Sequence, residues 1–386
     1  MEQTRLPEKC IMTVILCAMG ILGALFFLLP KKTFSENENR NLATFPEWKT
    51  EELTGGVYTG KIEEYLADHF PARDTWMMLA TEGDRLGGKR EINGVYLAED
   101  GRLIDVYEKT KDPGRMVNSV VRLASALPET KISLMLVPNA QQVYRDLLPA
   151  FAPEKTQEDT EWQLETIEEV YAAVEEQTEG KVIKVDPAWS MTRTDENSYY
   201  RTDHHWTIGG ARLGYDAWRE ATGRPANPLQ EEYLSPVSDT FRGTTWSRLN
   251  DPLIAPDTMY SYRDDNWDLS VTFTDTGEVT DTPYGEEWLT KKDKYAYYLN
   301  GLHPLVIIEN HAVPGEQGAI AVVKDSYANS MIPYMISDFH TIYVFDTRYW
   351  RQGVSSYVSE HEEIEEILIL YNVGLLDTDA GIGGIF

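Results

Sequence analysis

The chain has 386 residues, 42% of them hydrophobic and 11% aromatic, which suffices for a packed core and excludes wholesale disorder. Its net charge of −28 disfavours nucleic-acid phosphates and anionic lipid headgroups as partners, and the acidic residues are spread along the chain as a solvated surface. Single cores stop growing near roughly 250–300 residues, so one large domain with small additions is the expectation.

The N-terminus reads as a membrane segment. Ile11 to Leu29 is a run of 19 residues without a charge, just long enough to cross a hydrocarbon core as a helix. Pro30, Lys31 and Lys32 end it, and Leu28-Leu29-Pro30-Lys31 is not the small-x-small pattern of a signal-peptidase site. The organisation expected is a flank over 1–9, a transmembrane signal-anchor over 10–30, a juxtamembrane linker over 31–56 and one large domain over 57–386. Arg5 and Lys9 precede the span and Lys31 and Lys32 follow it, so the count of positive charges does not set its orientation. Long domains translocate largely regardless of charge, which places the acidic remainder outside the cytoplasm, as a single-pass protein of a bacterial cell surface. Both cysteines, Cys10 and Cys17, lie in or beside the span, so the large domain has no disulfide, cysteine metal site or cysteine nucleophile.

Beyond the linker, Ile62, Tyr65, Leu66 and Phe70 recur at helical spacing. Val95-Tyr96-Leu97 followed by Glu99-Asp100-Gly101 predicts a strand and a turn. Then helices are expected over Met116–Leu127, Thr160–Glu176 and Ile208–Thr222. Strands are expected over Ile132–Val137, Val182–Val185, Ala319–Val323, Thr341–Phe345 and Ile367–Leu370. Strand–helix alternation with short, wholly apolar strands predicts a three-layer α/β domain with a mainly parallel sheet. Residues 225–300 differ. They are rich in Pro, Asp, Thr and aromatics, and read as an insertion of short antiparallel strands, a lid or substrate wall.

Two segments carry chemistry. In Tyr199-Tyr200-Arg201-Thr202-Asp203-His204-His205-Trp206-Thr207, Asp203 and His205 share a face if the chain is extended. His204 and His205 then point to opposite faces, which is poor for joint metal ligation, and no metal is expected. In Ile320-Ala321-Val322-Val323-Lys324-Asp325-Ser326-Tyr327-Ala328-Asn329-Ser330, an apolar strand runs into Asp-Ser and small residues. That places Ser326 at a strand-to-helix turn, its hydroxyl near free N–H groups that favour developing negative charge. On this segment alone Ser326 reads better as a helix-capping serine than as a nucleophile. A serine nucleophile needs a histidine base, and the base an orienting carboxylate, whatever their chain order. Ser326, His205 and Asp203 supply that set.

Asp-His-His-Trp followed by Lys-Asp-Ser-Tyr-Ala-Asn resembles the DHHW proteins, which are similar to the alginate O-acetyltransferase-like (AlgX/AlgJ-type) branch of the SGNH hydrolase superfamily. Glu38-Asn39-Arg40-Asn41-Leu42, Val137-Pro138 with Val143-Tyr144, Asn300-Gly301-Leu302-His303-Pro304 and Phe345-Asp346-Thr347-Arg348-Tyr349 also look like family stretches. By position the resemblance implies Asp203 as orienting acid, His205 as base and Ser326 as nucleophile. Lys324 departs from the pattern, standing where a glycine usually precedes Asp-Ser.

Several further residues are candidates with bland alternatives beside them. Asn372 could donate to an oxyanion or cap a strand end; Arg348 could hold an anionic substrate or form an ion pair. His303 could line the pocket or be a loop histidine, and Trp206 and Tyr327, with Tyr199 and Tyr200, could stack on sugars or pack. The resemblance implies an O-acetyltransferase acting on a cell-surface polysaccharide without a bound cofactor, served by a multi-span membrane acyltransferase (MBOAT-type) as acyl donor. The alternatives are an esterase or deacetylase with the same three residues, or a non-catalytic polysaccharide-binding scaffold.

Overall fold

A computed structural model describes residues 5–35, 40–52, 55–156, 161–193 and 197–386. The chain divides into two compact units, Met1–Lys89 with Ser247–Leu253, and Arg90–Trp246 with Ile254–Phe386.

The first unit opens with the helix Arg5–Leu28, whose stretch Lys9–Leu28 is long and apolar enough to span a membrane. That composition fits a single-pass anchor or a signal sequence. Phe34–Ser35 pairs with Arg40–Asn41, while Glu38 and Asn39 of the stretch singled out in the sequence lie outside the described residues. Two helices follow, Val57–Asp68 and Arg73–Leu86. The buried Asp68 carboxylate ties this unit together. It accepts from Arg40 Nη1 at 3.0 Å and from the Ala43 amide at 2.8 Å.

The second unit is mixed α/β around an eight-stranded sheet. Its strands are β1 (Lys131–Val137), β2 (Val182–Val185), β3 (Leu269–Phe273), β4 (Glu278–Thr280), β5 (Leu305–Asn310), β6 (Ala319–Lys324), β7 (Thr341–Asp346) and β8 (Ile364–Asn372). Across the sheet the order is β4-β3-β5-β7-β6-β8-β1-β2. The ladders joining β7, β6, β8, β1 and β2 are all parallel, and those from β4 through β3 and β5 to β7 are antiparallel. All six residues of β6 are buried, as a strand covered on both faces requires.

Alternation along each strand divides the core in two. Ile320 and Val322 of β6, with Met135 and Val137 of β1, join one apolar cluster. Ala321 and Val323, with Leu134 and Leu136, join the other. The helix α1 (Gly114–Ala126) packs Val120 and Leu123 into the second cluster, and α2 (Trp162–Gln177) adds Ile167, Val170 and Val174. The helix α3 (Ile208–Ala221) gives Ala211, Tyr215 and Trp218 to the first. Each fully buried Val, Leu or Ile contributes roughly 1.5–3 kcal/mol, so these alternating faces pin the register of every strand.

Residues 225–300 do contain short antiparallel strands, though not as a separate body. Leu234–Phe241 pairs with Asp257–Tyr262, while β3 and β4 extend the main sheet beside β5. The parallel strands end where the chemistry-bearing residues lie. β6 stops at Lys324, two residues before Ser326, flanked by Asp346 at the end of β7 and Asn372 at the end of β8.

Candidate functional site

Ser326 opens a short 3₁₀ turn, Ser326–Ser330, directly after β6. The cap of that turn is Asp325, whose Oδ1 accepts from the Tyr327 amide at 2.8 Å. Because Asp325 caps the turn, the Ser326 hydroxyl is left for another partner. Asp325 is itself clamped by Asn372, whose amide and Nδ2 donate to Oδ2 at 2.7 and 2.8 Å. Asn372 Oδ1 is buried and has no hydrogen-bond partner among the described residues.

Lys324, the departure from the family pattern, needs no glycine-like backbone, since it is not among the residues with positive φ. Its buried ammonium meets Asp346 at 3.2 Å. Arg348 binds the same carboxylate bidentately, Nε to Oδ1 at 2.8 Å and Nη2 to Oδ2 at 2.6 Å. Burial pushes the Asp346 carboxyl up, but these two cations together hold it below its usual range.

The histidine segment is a closed loop. Tyr199 bridges Trp206 across it, and the Thr207 amide donates to the Ser198 carbonyl at 2.8 Å. At its tip Asp203 Oδ1 accepts from the His205 amide at 3.0 Å, an i to i+2 turn that Asp forms readily. Thr207 then caps α3, accepting from the Gly210 amide at 3.1 Å. This turn overturns one expectation. His204 and His205 do not point to opposite faces, because the chain is bent there and not extended. Their rings lie 3.8 Å apart, tilted by 37°.

Across 121 residues of sequence the two segments meet. His205 Nε2 lies 2.7 Å from Ser326 Oγ, and His205 Nδ1 lies 2.5 Å from Asp203 Oδ1. The Nδ1–H therefore points at the carboxylate and Nε2 offers its lone pair to the serine hydroxyl. Asp203 Oδ2 accepts from the amide and hydroxyl of Thr244 at 2.7 and 3.1 Å. With the hydroxyl proton so used, His204 Nδ1–H donates to Thr244 Oγ1 at 2.7 Å. Asp203 and His205 are buried, while Ser326 is half-buried and His204 partly exposed.

The electrostatics keep acid and base distinct. Burial opposes ionisation of Asp203, but the imidazoles of His205 and His204 and the bonds to its carboxylate hold its pKa well below the usual range. Burial, then the neighbouring His204, bring His205 down to about 4 against the opposing pull of Asp203. Near neutrality the pair is carboxylate and neutral imidazole, the state in which Nε2 can take a proton. Asp203, His204 and His205 bring one donor atom each within 4.8 Å of one another.

Tyr295, on the 3₁₀ turn Lys294–Tyr297, lies flat on the His205 ring, with centroids 3.6 Å apart and planes 5° from parallel. Its hydroxyl donates to the Ser326 carbonyl at 3.1 Å and lies 3.3 Å from Ser330 Oγ. Trp206 Nε1 donates to the Tyr327 carbonyl at 2.7 Å, and Tyr327 Oη donates to the His204 carbonyl at 2.6 Å. These two aromatics lock the histidine loop onto the Ser326 turn. Tyr199 and Tyr200 are buried in the apolar cluster on the same face.

The remaining candidates sit apart from this relay. His303 Nδ1 lies 2.7 Å from Asp275 Oδ1 and its Nε2 3.0 Å from the Asn300 carbonyl, and no bond joins it to the three relay residues. Arg348 and Asn372 act on the strand-end carboxylates already described. Thr244 and Tyr295 escaped the sequence reading. Both lie in the aromatic-rich region 225–300, whose composition marked it as a wall to the site but singled out no residue.

The family model for DHHW proteins matches residues 157–345, which include Asp203, His205, Tyr295 and Ser326. Among solved structures, a DHHW family protein from Eubacterium siraeum DSM 15702 is similar with a TM-score of 0.63 at 21% identity, the match covering 76% of this chain and 95% of that one. PatB1 of Bacillus cereus, in a structure with a sulfonyl adduct, gives 0.58 at 18% identity, covering 75% and 97%. The O-acetyltransferase domain of Pseudomonas putida AlgJ gives 0.43 at 15% identity, covering 74% and 93%. The first two likenesses show a common fold. No curated protein matches the chain.

Proposed function

We propose, from the premise that residues 157–345 belong to the DHHW protein family, that the large domain is an O-acyltransferase whose nucleophile is Ser326. The observation that carries this reading is one imidazole joined on one side to a carboxylate and on the other to a serine hydroxyl, at 2.5 and 2.7 Å. Such a relay exists to move a proton off the hydroxyl as it attacks. Ser326 Oγ attacks the acyl carbon of an ester donor and passes its proton to His205 Nε2. The donor's C–O bond breaks, and His205 returns the proton to the departing alkoxide. A sugar hydroxyl then gives its proton to His205 as its oxygen forms the new ester bond. The Ser326 ester breaks, and the serine oxygen recovers the proton. Asp203 stays ionised throughout, holding the tautomer and balancing the imidazolium.

The acyl group is acetyl and the acceptor a cell-surface polysaccharide, in keeping with the resemblance of the Asp-His-His-Trp and Asp-Ser segments to acetyltransferase-like relatives. A three-layer SGNH-type domain outside the cytoplasm, anchored by Lys9–Leu28 and supplied by a multi-span acyltransferase, completes this reading.

The sulfonyl adduct described for PatB1 suggests the probe. Phenylmethylsulfonyl fluoride should modify Ser326 in the full-length protein, located by peptide mass spectrometry, and Ser326→Ala and His205→Ala should abolish both labelling and polysaccharide acetylation. Normal acetylation by the Ser326→Ala variant would defeat the covalent mechanism and leave a polysaccharide-binding scaffold. With an acetylated donor, release of free acetate that added oligosaccharide does not divert would make the protein an esterase.

A further inference from the structure

Tyr295 makes a contact with His205 that packing alone does not require. Edge-to-face or offset arrangements are the usual preference of aromatic pairs, since stacked rings set their negative faces together. Here the planes are parallel to within 5° and the centroids only 3.6 Å apart. The phenol is fixed there by its own bonds to the Ser326 carbonyl and Ser330 Oγ, so it spans base and nucleophile together. Tyr295 is buried, as is His205, which removes the water that would screen the contact.

The partners of His205 divide by edge and face. Asp203 and Ser326 lie at its ring nitrogens, His204 is tilted against it, and Tyr327 is 5.6 Å away at 52°. The neighbouring His204 and Arg348 disfavour charge on the ring. Tyr295 is the stacked aromatic face whose electrons favour that charge.

We propose that Tyr295 is a positioning residue for acyl transfer, holding the His205 ring in plane with Asp203 and Ser326 and stabilising its imidazolium form. An aromatic face attracts a cation more strongly than a neutral ring. The contact therefore strengthens as His205 takes the serine proton, which is when it lowers the barrier. The inference rests on the reading of His205 as the base and adds a residue that touches neither substrate nor reacting atom.

The test follows sulfonylation of Ser326 by phenylmethylsulfonyl fluoride in the full-length protein in detergent. A desolvated cation–π contact corresponds to a rate factor on the order of tenfold. Tyr295→Leu should slow labelling by about that factor while still showing a cooperative thermal unfolding transition, at a lower melting temperature. Tyr295→Phe keeps the face and loses only the hydroxyl bonds, so it should stay within about threefold of wild type. Tyr295→Met fills the space without an aromatic face and serves as the readout if the leucine variant does not fold. Wild-type rates in folded Tyr295→Leu or Tyr295→Met overturn the inference while leaving the acyltransferase reading intact. Equal losses in Tyr295→Phe and Tyr295→Leu also overturn it, because the hydroxyl bonds would then be the whole effect. Failure of wild-type Ser326 to label at all defeats the underlying reading, and this inference with it.

Discussion

His205, the proposed base, stays neutral because of where it is buried. Removing water from around an imidazole penalises its charged form, and a neighbouring His204 adds to the penalty, so the ring protonates only near pH 4 and not near its ordinary 6.5. The sign follows directly. Nε2 accepts a proton only when neutral, so Ser326 labelling should rise with pH to a midpoint near 4 and hold level through neutrality. A stopped-time labelling series across pH measures this, and a midpoint at 6.5 would mean that His205 is hydrated. The same shift affects stability. The unfolded chain binds a proton at His205 below about 6.5 and the folded chain only below about 4, so stability falls as pH drops through that interval. At this scale the meeting of Asp203, His205 and Ser326 was legible because few side chains are suited to a proton relay. Thr244 and Tyr295 were not, since threonine and tyrosine serve many roles and their partners are set by tertiary contact. The orientation of His204 was misread for a local reason. The alternation rule assumes an extended chain, and the Asp203 carboxylate bends it by capturing the His205 amide.

The elements follow the same division between local and distant causes. β6 and β7 were legible as unbroken apolar runs, and their observed bounds, Ala319–Lys324 and Thr341–Asp346, lie within a residue of expectation. That β3 and β4 would leave the 225–300 region to extend the sheet was not legible. Antiparallel edge strands take their partner from topology, and nothing in Leu269–Phe273 names Leu305–Asn310 as its neighbour. The link between Leu234–Phe241 and the helix Thr244–Leu249 has a similar hidden constraint. Gly243 lies so close behind Asp203 that a methyl group there would overlap the carboxylate. Gly243→Ala should therefore push Asp203 off the His205 ring. Misplacing a catalytic group by about 1 Å can cost on the order of a hundredfold in rate, while overpacking a buried site costs about 1–3 kcal/mol. The expected variant is folded, somewhat less stable by thermal melting, and slowed by about that factor in Ser326 labelling. A wild-type labelling rate would mean that the backbone there yields without moving the acid.

At the scale of the whole molecule, the apolar helix and the relay make claims that one experiment can join. None of the Lys9–Leu28 stretch is buried, and Ile11, Val14, Met19 and Phe27 are all more than half exposed. A core helix of a soluble protein would bury such side chains, and a helix left in water would forfeit roughly 25 cal/mol for every Å² of apolar surface. The length and composition of Lys9–Leu28 fit a bilayer span or a signal sequence. The proposed function sets the site outside the cytoplasm and has its activated donor delivered across the membrane. A charged sulfonyl fluoride that does not cross membranes separates these possibilities. Added to intact cells, it should modify Ser326 as fully as it does after lysis, and the modified protein should sediment with membranes after an alkaline carbonate wash. Ser326→Ala cells give the background for other serines. Labelling that needs lysis would place the domain in the cytoplasm and remove the delivery step from the mechanism. Modified protein in the soluble fraction, beginning near residue 31, would make the apolar helix a cleaved signal and leave the relay untouched.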